Sequence, residues 1–128
     1  VRILRIEDKN GRERKIGKVD YLLAKLGEQD EVVNFAAVEV QAAYFSGGEI
    51  RTPMKHYLAY GKFPQNAERR PDFRSSAQKR LMPQLRLKVP VFRRWGKKFF
   101  VVVDTLFFAA MPKFQVTTVA NSEITWLA

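Results

Sequence analysis

The sequence predicts an α/β (α+β) fold: a single domain over residues 1–128, with helices flanking a mixed β-sheet core. Three observations predict it. Val19 to Gln41 (VDYLLAKLGEQDEVVNFAAVEVQ) reads as two apolar strands joined by an acidic, glycine-containing turn. A helix-forming segment opens at Ser75, and a long apolar run extends from Phe99 to Met111. Strands on both sides of a helical segment pack as layers around one sheet. A chain of 128 residues is long enough to bury a real core.

Val1 to Glu7 mixes apolar and charged residues at strand spacing. Asn10-Gly11 is a strong hairpin signal, so Arg12 to Ile16 should return as a charged edge strand and break at Gly17. Val19 to Ala24 is expected as a strand. In Val32 to Gln41, Phe35, Ala37, Glu39 and Gln41 alternate with Ala36, Val38 and Val40. A run apolar on both faces suggests a central strand with helices on either side. Gly47-Gly48 reads as a turn. A short helix is expected around Met54 to Tyr60, with Pro53 in its first turn and Gly61 ending it. Residues 64–74 read as a polar loop.

Ser75 and Gln78 fit a capping box. The helix they open should run through Ala77, Leu81 and Leu85, restart or kink at Pro83, and end at Pro90. Lys79, Arg80, Arg86 and Lys88 are expected on its exposed side. Phe99 to Met111 reads as a strand interrupted by Asp104, with short strands at Gln115 to Ala120 and Ile124 to Ala128.

Composition limits the chemistry. The absence of cysteine excludes disulfides, thiolate metal sites and cysteine nucleophiles within these residues. His56 is the single histidine, so a multi-histidine metal site is excluded too. No stretch of 18 apolar residues is present, and no secretory signal opens the sequence; no membrane partner and a cytoplasmic location are expected. The chain starts at Val1 without a methionine, so an N-terminal element is expected to be missing.

The net charge of +10 is concentrated in the middle of the chain. Residues 51–98 hold 14 Lys/Arg against 2 Asp/Glu, whereas residues 1–50 hold 8 against 9. Such a block attracts polyanions, nucleic acid foremost. The competing reading is a solvated basic face.

Against that background, Asp20 and Glu39 stand out as carboxylates in strands that should not want them. Gln41 follows Glu39 at i+2 and projects from the same face. Mg²⁺ takes octahedral oxygen ligands and is usually held by one or two carboxylates plus water and phosphate oxygens. Asp20, Glu39 and the Val40 carbonyl fit as ligands, with Gln41 beside the attacking water. Each residue also has a plain structural reading: Asp20 as a strand start, Glu39 paired with Arg51 or Arg80, Gln41 satisfying the backbone.

The spacing GKVDYLLAK, 18 residues between Asp20 and Glu39, then AAVEVQ resembles the PD-(D/E)xK nuclease superfamily, with glutamine at the lysine position. VEVQAAYFSGGEIR and SSAQKRLMPQLRLKVPVFRRWGKKFFVVV are similar to the NotI-like restriction endonuclease group. The resemblance implies a restriction-endonuclease-like fold, Mg²⁺-dependent hydrolysis of DNA, catalysis by Asp20, Glu39 and Gln41, and a homodimer. It also implies an acidic helix ahead of the hairpin, which this sequence lacks. The four-cysteine metal site associated with NotI itself cannot form from these residues. Lys79, Arg80, Arg86, Arg93 and Arg94 are the candidate phosphate contacts. The alternatives are a non-catalytic nucleic-acid-binding domain on the same fold, and a scaffold whose basic face meets an acidic protein.

Overall fold

The alternation of side chains along Val32–Gln41 determines how the layers stack. The computed structural model describes residues 4–7, 9–65, 68 and 70–128. The start of the expected first strand, residues 1–3, lies outside them, as do Asn66, Ala67 and Arg69 of the expected polar loop. A hairpin opens the fold: β1 (Leu4–Glu7) pairs antiparallel with β2 (Glu13–Gly17). Gly11 lies in its turn at φ 72°, a conformation that glycine adopts without steric cost.

β3 (Tyr21–Leu26) and β4 (Val32–Gln41) form the expected antiparallel pair. β5 (Tyr44–Ser46) then pairs with β6 (Arg70–Asp72), a strand inside the segment expected as loop. Between them lies α1 (Arg51–Tyr60), which starts three residues earlier than expected and ends at Gly61, whose φ of 67° lets its N–H reach the Tyr57 carbonyl.

The central helical segment starts two residues before Ser75, because the cap is Asp72: its Oδ1 accepts the Ser75 N–H at 2.8 Å. A short turn, α2 (Phe73–Ser75), leads into a π-helical stretch (Ser76–Leu81) and then α3 (Met82–Arg94). In the π-helical stretch the Met82 N–H bonds to the Ala77 carbonyl, five residues back. Pro83 opens α3, as expected, but Pro90 does not end it. Its missing N–H costs about 3 kcal/mol. Burial of Val89, Val91 and Phe92 contributes about 1.5–3 kcal/mol each, so packing outweighs the defect.

The run expected as one long strand is two elements, β7 (Phe99–Val103) and α4 (Thr105–Ala109). Asp104 divides them as an N-cap, its Oδ1 accepting from the Leu106 and Phe107 N–H groups at 2.8 and 3.2 Å. Its Oδ2 accepts from the Tyr57 hydroxyl at 2.9 Å, which holds that phenol above its ordinary range. Asp104→Ala should therefore cost about 1–2 kcal/mol in urea unfolding, the upper range for a lost cap; a change below 0.3 kcal/mol, roughly the noise of unrelated surface substitutions, would refute the capping role. β8 (Thr125–Leu127) closes the sheet, and residues 115–120 form no strand.

The sheet has the order β3-β4-β7-β8, with β3 antiparallel to β4 and the other two pairs parallel. Phe35, Ala37, Glu39, Phe99, Val101 and Val103 share the face on which α3 packs. Leu81, Leu85, Val89 and Phe92 form the facing stripe of the helix and join the same buried core. Phe92 sits at its centre, its ring edge-on to Phe35, Trp95 and Phe99. The opposite sheet face carries Tyr21, Leu23, Val40 and Leu127, all exposed. No described helix covers it, so β4 is sheltered on one side rather than two.

Candidate active site

The β3–β4 pairing brings the two acids near one another. Tyr21, the first residue of β3, is paired with Val38; Asp20 is the bend residue just before it, and its charge acts on Glu39. Val19, only 3% exposed, anchors the turn into β3. The exposed Asp20 that follows accepts the Val40 N–H through Oδ2 at 2.8 Å. This bond uses one of its two carboxylate oxygens.

Glu39 is 5% exposed. Its partner is neither Arg51 nor Arg80 but Lys88 of α3, whose Nζ lies 2.6 Å from Oε1. The same ammonium donates to Gln84 Oε1 at 2.8 Å. Glu39 Oε2 is buried with no hydrogen-bond partner. Burial pushes the Glu39 carboxyl above the ordinary glutamate range. The bond and charge of Lys88 pull the other way, the Asp20 charge adds to the rise, and the nearby Asp20 backbone lowers it.

Lys88 is thus not on the exposed side of the helix; it is 4% exposed. Its signal was the stripe itself: position 88 lies three residues after Leu85 and four before Phe92, on the buried face. Gly17 makes room for it. A Cβ at Gly17 would sit 3.2 Å from Lys88 Cε, and the φ of 148° there is one that L side chains rarely adopt.

Gln41 is half-buried on the same face as Glu39, and its Nε2 donates to the Ala42 carbonyl at 2.6 Å. The Val40 side chain is exposed on the other face, while its backbone lies between Glu39 and Gln41. Among the described residues no three His, Cys, Asp or Glu side chains cluster as a metal cage. Two carboxylates and a carbonyl leave the remaining positions of a hard cation to water and phosphate, as Mg²⁺ prefers. The buried, unpaired Oε2 is the observation that fits these residues to such an ion. A cavity of about 600 Å³, lined by Phe108, Phe114 and Trp126 among others, lies elsewhere and includes neither acid.

The five candidate phosphate contacts are all exposed, and the structure spreads them out. Arg80 lies over the Tyr44 ring at 4.3 Å, near the end of β4 that carries the acids. Arg80 and Arg93 are separated by about 20 Å of helix at 1.5 Å per residue. Arg93 is ion-paired with Glu123. Beyond Arg94, Lys97 bonds Asn34 and Lys98 bonds the Val119 and Ala120 carbonyls, close to the start of the parallel strands. Lys79 adjoins Arg80, and Arg86 projects from the segment between.

No curated protein matches the chain, and no solved structure does. A family model described as restriction endonuclease NotI matches residues 3–128. No helix among the described residues is long and apolar enough to cross a membrane. The match takes in both acid-bearing strands, the basic helix and the closing strand, and the protein is therefore a member of the NotI restriction endonuclease family, with DNA as its substrate.

Proposed function

We propose that the chain hydrolyses DNA phosphodiester bonds in a Mg²⁺-dependent reaction, through a PD-(D/E)xK-type site in which Gln41 stands at the lysine position. The observation that carries the reading is the Asp20 carboxylate held on the Val40 N–H beside Glu39, with Glu39 Oε2 buried and unpaired. Asp20, Glu39 and the Val40 carbonyl would hold the ion. Bound there, Mg²⁺ supplies a lowered water pKa and charge neutralisation at the phosphate.

The chain's own residues supply orientation. The Val40 N–H fixes the Asp20 carboxylate against β4, so the two acids move as one unit. The Gln41 side-chain carbonyl remains an acceptor after its Nε2 is committed to Ala42, and can accept a hydrogen bond from the attacking water. Arg80, seated over the Tyr44 ring, and its neighbour Lys79 would hold the backbone of a bound duplex, and such contacts position the DNA without reading its sequence. The reading extends to a homodimer in the cytoplasm, which supports cutting both strands of a duplex.

The test uses genomic DNA, which offers many sequences. Purified protein with Mg²⁺ is expected to give discrete fragments, and calorimetric titration with Ca²⁺ alone should show binding that Asp20→Asn weakens at least tenfold, the order expected for loss of a metal-site carboxylate or its support. Salt-sensitive DNA binding with neither cutting nor cation binding would replace this reading with the non-catalytic one.

A further inference from the structure

Lys88 is a buried cation, and it is ion-paired with Glu39, one of the two acids. Its position is built from three sides. The stripe of α3 directs it at the sheet, Gly17 leaves space for its chain, and Gln84 one turn earlier holds a second N–H. Gln41, at the position where a cation would be expected two residues after Glu39, is neutral and bonded to its own neighbour. The positive charge of the site therefore comes from the helix.

We infer that Lys88, steered by Gln84, is a positioning residue for the proposed cleavage: it fastens Glu39 through Oε1 so that Oε2 is the oxygen offered to a divalent cation. The inference rests on the nuclease reading above. A carboxylate free to rotate would bind a cation through either or both oxygens, and the ion would shift relative to Asp20 and the phosphate. Fastening one oxygen removes that freedom. It also sets a compromise, because the ammonium repels the incoming cation while it aims the ligand. Removing Lys88 should therefore tighten cation binding and slow the reaction, a split that a residue supporting only the fold would not produce.

The experiment compares wild type, Lys88→Met and Gln84→Met. Ca²⁺ affinity is measured by calorimetry on the protein alone, and kcat and KM are measured on DNA at saturating Mg²⁺. Lys88→Met is expected to lower kcat by about 10–100-fold, the range for losing a group that orients a metal ligand, with KM for DNA unchanged and Ca²⁺ bound more tightly. Gln84 is exposed, so Gln84→Met should fold normally. It keeps the charge and should lower kcat by about 10-fold with unchanged Ca²⁺ affinity. Wild-type kcat in Lys88→Met overturns the inference, as does a joint loss of kcat and Ca²⁺ affinity. Should Lys88→Met not fold, wild-type kcat in Gln84→Met overturns it. A wild-type protein that neither binds Ca²⁺ nor cuts DNA would instead remove the nuclease reading itself.

Discussion

Glu39→Gln is expected to abolish divalent-cation binding and to reduce DNA cleavage by at least about 10²–10³-fold, the range for deleting a preorganised electrostatic group. The substitution keeps the shape and an oxygen that Lys88 can still bond, but removes the charge that a hard cation requires. It also leaves the Lys88 ammonium buried without an anion. Removing one partner of a buried pair costs about 3–5 kcal/mol at worst, so lost activity must be separated from lost structure. Combining Glu39→Gln with Lys88→Met serves that purpose, because neutralising both partners relieves the buried charge. The double variant should recover much of the stability and none of the cleavage. Cleavage within tenfold of wild type by Glu39→Gln would dismiss Glu39 as a ligand.

The same substitution bears on pH. Glu39 has a raised folded-state pKa, so the folded state holds its proton more tightly than the unfolded state. The stabilisation this gives is complete below the ordinary glutamate value of 4.5 and is lost as pH rises through the higher folded value. Burial sets the rise, Lys88 opposes it and the Asp20 charge adds to it. Urea unfolding without metal should show this falling component in wild type and not in Glu39→Gln.

Phe92→Ala should be the most destabilising single substitution, at about 3–5 kcal/mol for a fully buried aromatic. Phe92 is 1% exposed and meets three other aromatic rings edge-on. Phe99, one of those rings, is itself fully buried, so it has little freedom to fill the space. Set against a typical domain stability of about 5–15 kcal/mol, the loss would leave much of the protein unfolded on mild warming. Lys88 lies one helical turn before Phe92, so surviving folded molecules should also cut more slowly. A loss below about 1 kcal/mol, typical of an ordinary substitution, would mean that α3 does not seat on the sheet through this residue.

The two strands that carry the candidate acids were legible because strand patterning is strict: period-two alternation places Glu39 within β4, while Asp20, expected to open a strand, sits in the bend before β3. The helical half was harder to read. Phe99 to Met111 is apolar throughout, and periodicity alone cannot separate a buried strand from a buried helix. Asp104 read as a blemish in a strand, when its side chain was the signal that a helix begins. Pro90 misled in the opposite direction, because local chemistry favoured a stop and tertiary packing overruled it. Lys88 was misplaced for a third reason. Charged residues are rarely buried without a partner, and its partner lies 49 residues away in the chain. Only the heptad-like spacing of Leu81, Leu85 and Phe92 hinted that position 88 faces inward.

The π-helical stretch Ser76–Leu81 has a bearing on all of this through angular phase. At its first residue, Ser76 is tied to β5 by its Oγ, which accepts the Tyr44 N–H at 2.5 Å. After it, Lys88 is tied to β4 through Glu39. Each residue of a regular helix turns about 100° around the axis, and a π turn accommodates one more residue than an α turn. Were Ser76–Leu81 to wind as ordinary α-helix with Ser76 held in place, Lys88 would swing by roughly 100° and leave Glu39 facing an apolar wall. The extra residue acts as a rotational spacer, letting one rod keep both of its attachments in angular register.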